Sequence, residues 1–169
     1  MNETIALSSK AIREAFGLFP SGIAAISAIR EGKPQVIVAS SFSVGVSLVP
    51  PLAAFYVQKT SSTWDELRQS PRLGVSILGV EHADICRQLA DRNKEARFMN
   101  VQTKTTTQGA VHLVGAPVWF DCSIFAVHPA GDHDAVQLLI HDLHFEKRAA
   151  PLIFHKSQFT QLITESAFS

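Results

Sequence analysis

Cysteine is nearly missing from this chain: Cys86 and Cys122 are the only two among 169 residues. They stand far apart and without metal-type spacing, so they are expected as reduced packing residues of a cytoplasmic protein rather than a disulfide. An excess of charge is missing as well. Fifteen basic residues balance 15 acidic ones and no lysine/arginine run occurs, which excludes a nucleic-acid binder driven by its net field. No apolar stretch is long enough to span a membrane, and the opening MNETIALSSK lacks the basic-then-apolar order of a secretory signal. Glycine is sparse, and no two glycines stand as G-x-G, so the Rossmann fingerprint is excluded. Walker-type loops, G-x-S-x-G elbows and H-E-x-x-H are absent too.

What is there is a core-forming composition: 46% of the residues are hydrophobic and only 18% are charged, so a partner subunit is expected to cover part of the surface. The length suits one domain over residues 1–169. Ser9 is expected to cap a helix over 10–18, with Ile12, Phe16 and Phe19 on one face, stopped by Pro20-Ser21-Gly22. Residues 23–29 and 35–42 read as strands around a turn at Glu31-Gly32-Lys33-Pro34. A small-hydroxyl turn then leads to Pro50-Pro51 and a buried strand over 52–57. Thr63 and Glu66 fit the T-x-x-E capping box of a helix that ends at Ser70-Pro71. A strand over 72–78, a helix over 82–90 and a charged, solvated run over 91–98 follow. Residues 101–116 look like a long loop with short extended pieces. Residues 118–127 and 135–145 form a hairpin around a turn over 128–134, and 151–155 is a last strand. Strands outnumber helices and return by hairpins, which favours a mainly β fold, an antiparallel barrel with a few helices.

Two segments carry chemistry. Lys59-Thr60-Ser61-Ser62-Thr63 has the composition of an anion cradle: one lysine, then successive hydroxyls at a helix start, where unpaired amides face outward. Ala39-Ser40-Ser41, at a strand end, allows a flat ligand to approach the backbone closely and offers hydroxyls to a polyol. Together they point to a phosphorylated cofactor. The cluster His128, Asp132, His133 and Asp134 would suit zinc or iron, but reads more simply as a turn with internal hydrogen bonds. Arg87 and His82 could lower the pKa of Cys86, although its segment also reads as an ordinary amphipathic helix.

The order of motifs resembles the short-chain flavin reductases, the reductase components of two-component flavin-dependent monooxygenases. Residues 16–23 (FGLFPSGI), 39–43 (ASSFS), 46–52 (VSLVPPL), 59–63 (KTSST), the pair Arg97-Phe98, 128–133 (HPAGDH) and 151–155 (PLIFH) through Phe159 occur in that family's order, across about residues 10–162. The resemblance implies a Greek-key split β-barrel, a homodimer with flavin at its interface, and FMN or FAD as flavin with NADH or NADPH as reductant. It implies that Val38, Ala39, Ser40 and Ser41 line the flavin, and that Lys59, Ser61, Ser62 and Thr63 hold its phosphate. Phe98 would sit beside the flavin, while His133, the catalytic candidate, would reach the nicotinamide and Phe159 would close over it. A non-catalytic flavin carrier or redox sensor is the alternative on the same barrel. Val49 departs from the family's usual aspartate, which bears on the backbone path there.

Overall fold

The computed structural model describes residues 7–162. Helix α1 (Ser9–Gly17) is capped by Ser8, whose hydroxyl accepts from the Ala11 amide at 3.2 Å, so the cap lies one residue earlier than expected. Of its expected apolar stripe, Ile12 is half-buried, while Phe16 and Phe19 are 74% and 76% exposed. Strands β1 (Ser21–Gly22), β2 (Ala24–Arg30) and β3 (Lys33–Ala39) follow. The β2–β3 turn is shorter than expected, only Glu31-Gly32, both with positive φ, as a tight hairpin requires. Pro34 then lies inside β3, tolerated because β3 ends its sheet.

Residues 43–48 are not a turn but a strand, β4 (Ser43–Leu48), which doubles back through Val49-Pro50 into β5 (Pro51–Gln58). Val49 is 93% exposed at that tip, so its backbone path is fixed by the hairpin and needs no carboxylate. Helix α2 (Ser62–Leu67) is capped by Ser61, which accepts from Trp64 N at 3.2 Å. The Thr63–Glu66 capping box is not made: Thr63 is buried under Arg97, and Glu66 binds Lys94 at 2.7 Å.

Strand β6 (Leu73–Ile77) leads to a 3-10 turn over Val80–His82 and helix α3 (Ala83–Leu89). The charged run makes only a 3-10 turn over Lys94–Ala96. Segment 101–116 contains the short strands β7 (Thr103–Thr105) and β8 (Val111–Leu113), and β8 is buried throughout. Strands β9 (Val118–Ala130) and β10 (His133–Phe145) are longer than expected, leaving only Gly131-Asp132 as the turn. Gly131 takes φ +66° at the first central position, a conformation that glycine adopts without a Cβ penalty. Strands β11 (Leu152–His155) and β12 (Gln158–Gln161) close the description.

Seven strands form one antiparallel sheet in the order β3-β2-β6-β9-β10-β5-β4, and β1-β11-β12 form a second. Strand β2 buries both faces, as its apolar run dictates. Ala24, Ile26 and Ala28 face one core with Phe55, Trp64, Leu73 and Val136. Ile23 and Ala25, at alternate positions, face a second core with Val36, Cys86, Leu89 and Leu152. No described helix is long and apolar enough to cross a membrane.

Candidate functional site

Strands β3 and β4 stand at opposite ends of the seven-stranded order, yet only residues 40–42 separate them in the chain. The sheet therefore curls until its two ends are joined by one short covalent link. Backbone pairing lapses at that link, and a side chain bridges the lapse. The Ser41 hydroxyl accepts from Tyr56 N at 3.1 Å and donates to Tyr56 O at 3.0 Å, which satisfies both backbone groups of a β5 residue. The result is the split of a split β-barrel, and a cleft of ≈ 370 Å³ opens there. That volume lies within the range of small-molecule sites.

The cleft gathers Val38, Ala39, Ser40, Ser41, Ser61 and His133, segments far apart in sequence. Ala39 keeps bulk away from the strand. Ser40 is exposed and makes no hydrogen bond among the described residues, whereas the Ser41 hydroxyl is engaged by β5. Ser62 is exposed at the helix start, and the amides of Ser62 and Thr63 have no partner among the described residues. The Thr63 hydroxyl, by contrast, is buried and accepts from Arg97 Nη1 at 3.1 Å. Lys59 bends towards the β9–β10 turn. Its Nζ donates to Gly131 O at 2.6 Å and its amide to Asp132 O at 3.1 Å. His133 Nδ1 lies 2.6 Å from Asp132 Oδ1. That hydrogen bond, with the imidazole charge and the more distant Lys59, holds the Asp132 carboxyl below its ordinary pKa. The ionised carboxylate accepts from Nδ1–H, which leaves Nε2 as the ring nitrogen without a partner among the described residues.

Phe159 and Phe98, like Lys59, Ser62 and Thr63, are not among the residues that line this cleft. Phe159 is on the other side of the Val38–Ser40 wall, in a smaller recess with Cys86, Arg87 and Phe154, and the Arg87 guanidinium sits 5.4 Å over its ring. Phe98 lies beside the start of β3, in a groove with Lys33, Gln35, Lys94 and Met99. Cys86 is the packing residue that its amphipathic helix suggested: burial pushes its thiol up to about 11, outweighing the lowering effect of Arg87. His82 is occupied elsewhere, between Gly79 N and Val114 O. Burial likewise pushes the Cys122 thiol up to about 12.

Sequence reasoning missed Ile37, Tyr56, Val57 and Gln58, which complete the cleft. Tyr56 and Gln58 alternate with buried Phe55 and Val57 along β5, and that alternation was the available signal. It also gave Arg97 no role. Arg97 donates to Val36 O at 3.0 Å as well as to Thr63, tying β3 to the first turn of α2. Burial lowers its pKa against the pull of Asp91 and Glu66, yet a guanidinium remains charged.

A mainly β split barrel whose open seam presents hydroxyls, unpaired amides and cations suits a flat, phosphorylated ligand. A family model described as flavin reductase like domain matches residues 16–162, and the chain belongs to that family. It is similar to a flavin reductase of Pseudomonas putida, 26% identical over 155 residues that cover 91% of this chain and 90% of the relative. It is also similar to an NADH:FMN oxidoreductase of Rhodococcus qingshengii, 31% identical over 152 residues, covering 87% of this chain and 78% of the relative. Among solved structures it is similar to nitrilotriacetate monooxygenase component B from Mycobacterium thermoresistibile. The TM-score is 0.87 at 27% identity, covering 94% of this chain and 88% of that one.

Proposed function

We propose that this chain is an NAD(P)H:flavin oxidoreductase that reduces FMN or FAD in the cleft between β3 and β5 and supplies the reduced flavin to a separate flavin-dependent monooxygenase. The observation that carries the reading is the seam at residues 40–42, where Val38, Ala39, Ser40 and Ser41 meet Ser61 and His133 in one cleft. The names of the Rhodococcus and Mycobacterium relatives, an NADH:FMN oxidoreductase and a monooxygenase component B, support both halves of it.

The residues fit the group. A flavin supplies the ring that accepts hydride, and the protein supplies binding and orientation. Val38, Ala39 and Ser40 form a wall that a planar ring can approach, and the Ser40 hydroxyl meets its polyol chain. Ser61, Ser62, the Ser62 and Thr63 amides and the remaining Lys59 hydrogens receive the phosphate. Thr63 acts from beneath by holding Arg97. His133 Nε2 accepts from the carboxamide of the nicotinamide and so orients it, and no proton transfer is asked of the imidazole. Phe159 lies beyond the Val38–Ser40 wall and takes no part in this cleft.

Residues 1–169 act as one domain, and two such chains pair as a homodimer, supported by exposed Val44, Leu48 and Val49 beside the seam. A cytoplasmic location is supported by the two free, buried cysteines. Steady-state NADH oxidation with FMN, FAD and riboflavin tests the reading. Flavin-dependent oxidation is expected, and slower with riboflavin. NADH consumption that no flavin stimulates would leave only a flavin carrier.

A further inference from the structure

The cleft is a gap between β3 and β5, and side chains tie its two walls together at both ends. At one end the Ser41 hydroxyl takes both backbone groups of Tyr56. At the other end the tie comes from a separate segment. Arg97 Nη1 donates to Val36 O on β3 at 3.0 Å and to the Thr63 hydroxyl at 3.1 Å, in the helix that continues from β5 after residues 59–61. Apart from His133, every residue that lines the cleft falls at or between these two ties in sequence: 37–41 on one wall, 56–58 and Ser61 on the other. Arg97 itself is not among them.

The segment that carries Arg97 is braced on both sides. Arg97 Nε donates to Asp91 O at 2.7 Å. Gln88 Nε2, in the last turn of α3, faces the carbonyls of Ala96, Arg97 and Met99 at 3.1, 3.2 and 2.8 Å. Lys94 binds Glu66 of α2 at 2.7 Å, and Lys33 of β3 lies 3.6 Å from Glu95. One short stretch thus reaches β3 and α2 at once. Strand β3 ends the seven-stranded order, so its outer edge is open to a partner other than a strand. A planar guanidinium holds its acceptors in fixed directions, which makes it a spacer of set length between two backbones.

Resting on the flavin reading above, we infer that Arg97 is a positioning residue for flavin reduction: by joining β3 to the first turn of α2 it sets the width of the cleft, and so the hold of both walls on the flavin ring. It touches neither flavin nor nicotinamide. Without it the gap stays tied only at Ser41, the start of α2 can draw away from β3, and a planar ligand meets one wall at a time.

The test is steady-state NADH oxidation with FMN and with riboflavin by the unaltered chain, Arg97→Met, Thr63→Val and the double variant. Arg97→Met keeps an unbranched side chain and loses the donors. It is expected to raise the Michaelis constant for flavin about tenfold, the scale of one hydrogen bond, and alike for FMN and riboflavin, because the walls hold the ring. Thr63→Val removes one acceptor and keeps the Thr63 amide, and is expected to raise both constants about threefold. The double variant is expected to match Arg97→Met, since the two residues act through one bond. A loss confined to FMN would overturn the proposal, because it would put the guanidinium on the phosphate itself. Lower turnover at unchanged Michaelis constants would overturn it as well, since a smaller folded fraction gives that result. Additive effects in the double variant would do the same. If Arg97→Met does not fold, Thr63→Val decides alone: the threefold rise for both flavins supports the role, and unchanged constants overturn it. All these outcomes leave the flavin reading intact. NADH oxidation by the unaltered chain that no flavin stimulates would overturn both.

Discussion

Lys59 has two duties that one substitution can separate. Its ammonium donates to Gly131 O at 2.6 Å, which pins the β9–β10 turn, and its other hydrogens are available to a phosphate. Lys59→Ala is expected to weaken FMN by about 1–3 kcal/mol, the loss of a charge-assisted hydrogen bond. Riboflavin, which has no phosphate, distinguishes the duties in an equilibrium titration. Its affinity is expected to hold, and an equal loss for riboflavin would mean that only the tie to the turn had mattered. His133 makes the complementary case. Asp132 occupies Nδ1 at 2.6 Å, so the ring is held in place and a single nitrogen faces the cleft. His133→Ala is expected to raise the Michaelis constant for NADH by up to about tenfold, one hydrogen bond's worth. An unchanged constant and unchanged turnover would remove His133 from the site.

At the scale of elements, β8 shows how closely this fold is fitted. A Cβ on Gly74 would stand 2.1 Å from Val111 O, so β6 can accept β8 against its face only because residue 74 has no side chain. Two hydroxyls fasten the contact, Ser27 Oγ donating to Val111 O at 2.8 Å and Ser76 Oγ accepting from Leu113 N at 2.9 Å. Gly74→Ala is expected to cost about 3 kcal/mol or more in urea unfolding, because the clash is with backbone that cannot swing away. His112, on the same strand, is buried, and its Nε2–H donates to Phe120 O at 3.1 Å. Burial lowers its pKa, against the raising effects of that hydrogen bond and of Asp121 and Asp142. Between the lowered folded value and the ordinary one of about 6.5, the unfolded chain binds a proton that the fold refuses. Stability therefore rises with pH across that window and is level above it. His112→Gln keeps a donor for Phe120 O without titrating, so its thermal midpoint is expected to fall less steeply than that of the unaltered chain on acidification below about pH 6.5. These same elements show what could be read locally and what could not. Glu31-Gly32 and Gly131 announced their hairpins because turn chemistry is confined to adjacent residues. Strand β4 did not: Val44, Val46 and Leu48 alternate there with Ser43, Gly45 and Ser47, but the glycine and hydroxyls read as a turn, and the segment becomes a strand by pairing with β5. The threonine-rich loop concealed β8, whose burial depends on Gly74, Ser27 and Ser76, far away in the chain. At the cleft, residues 39–41 and Ser61 lay in segments that stood out by composition. The clasp of Ser41 on Tyr56 and of Arg97 on Thr63 was not, because no local pattern encodes contacts between residues so far apart.

At the scale of the whole molecule, the described chain leaves apolar surface uncovered at one end of its larger sheet. Strand β4 ends the seven-stranded order and presents Val44, Leu48 and Val49 at 65%, 85% and 93% exposure. A long apolar edge is a liability that proteins cover. Elsewhere Phe125, Leu143 and Phe145 of the β9–β10 hairpin are half exposed or more. A second copy of the chain would cover such surfaces, and because β4 continues directly from the seam at residues 40–42, covering β4 would also wall the flavin cleft. In the proposed homodimer, dimerisation and flavin affinity would thereby be coupled. Leu48→Asp tests the coupling cleanly. Leu48 contributes little to the fold of its own chain, so the substitution should cost that fold no more than about 0.5 kcal/mol. Placed against a second chain, however, a buried unpaired carboxylate is severely unfavourable. Sedimentation is expected to show a dimer for the unaltered chain and a monomer for the variant, and flavin titration a loss of affinity in step with dissociation. A variant that remains dimeric with full affinity would place the subunit contact elsewhere. A monomeric variant with full affinity would show that one chain builds the whole flavin site.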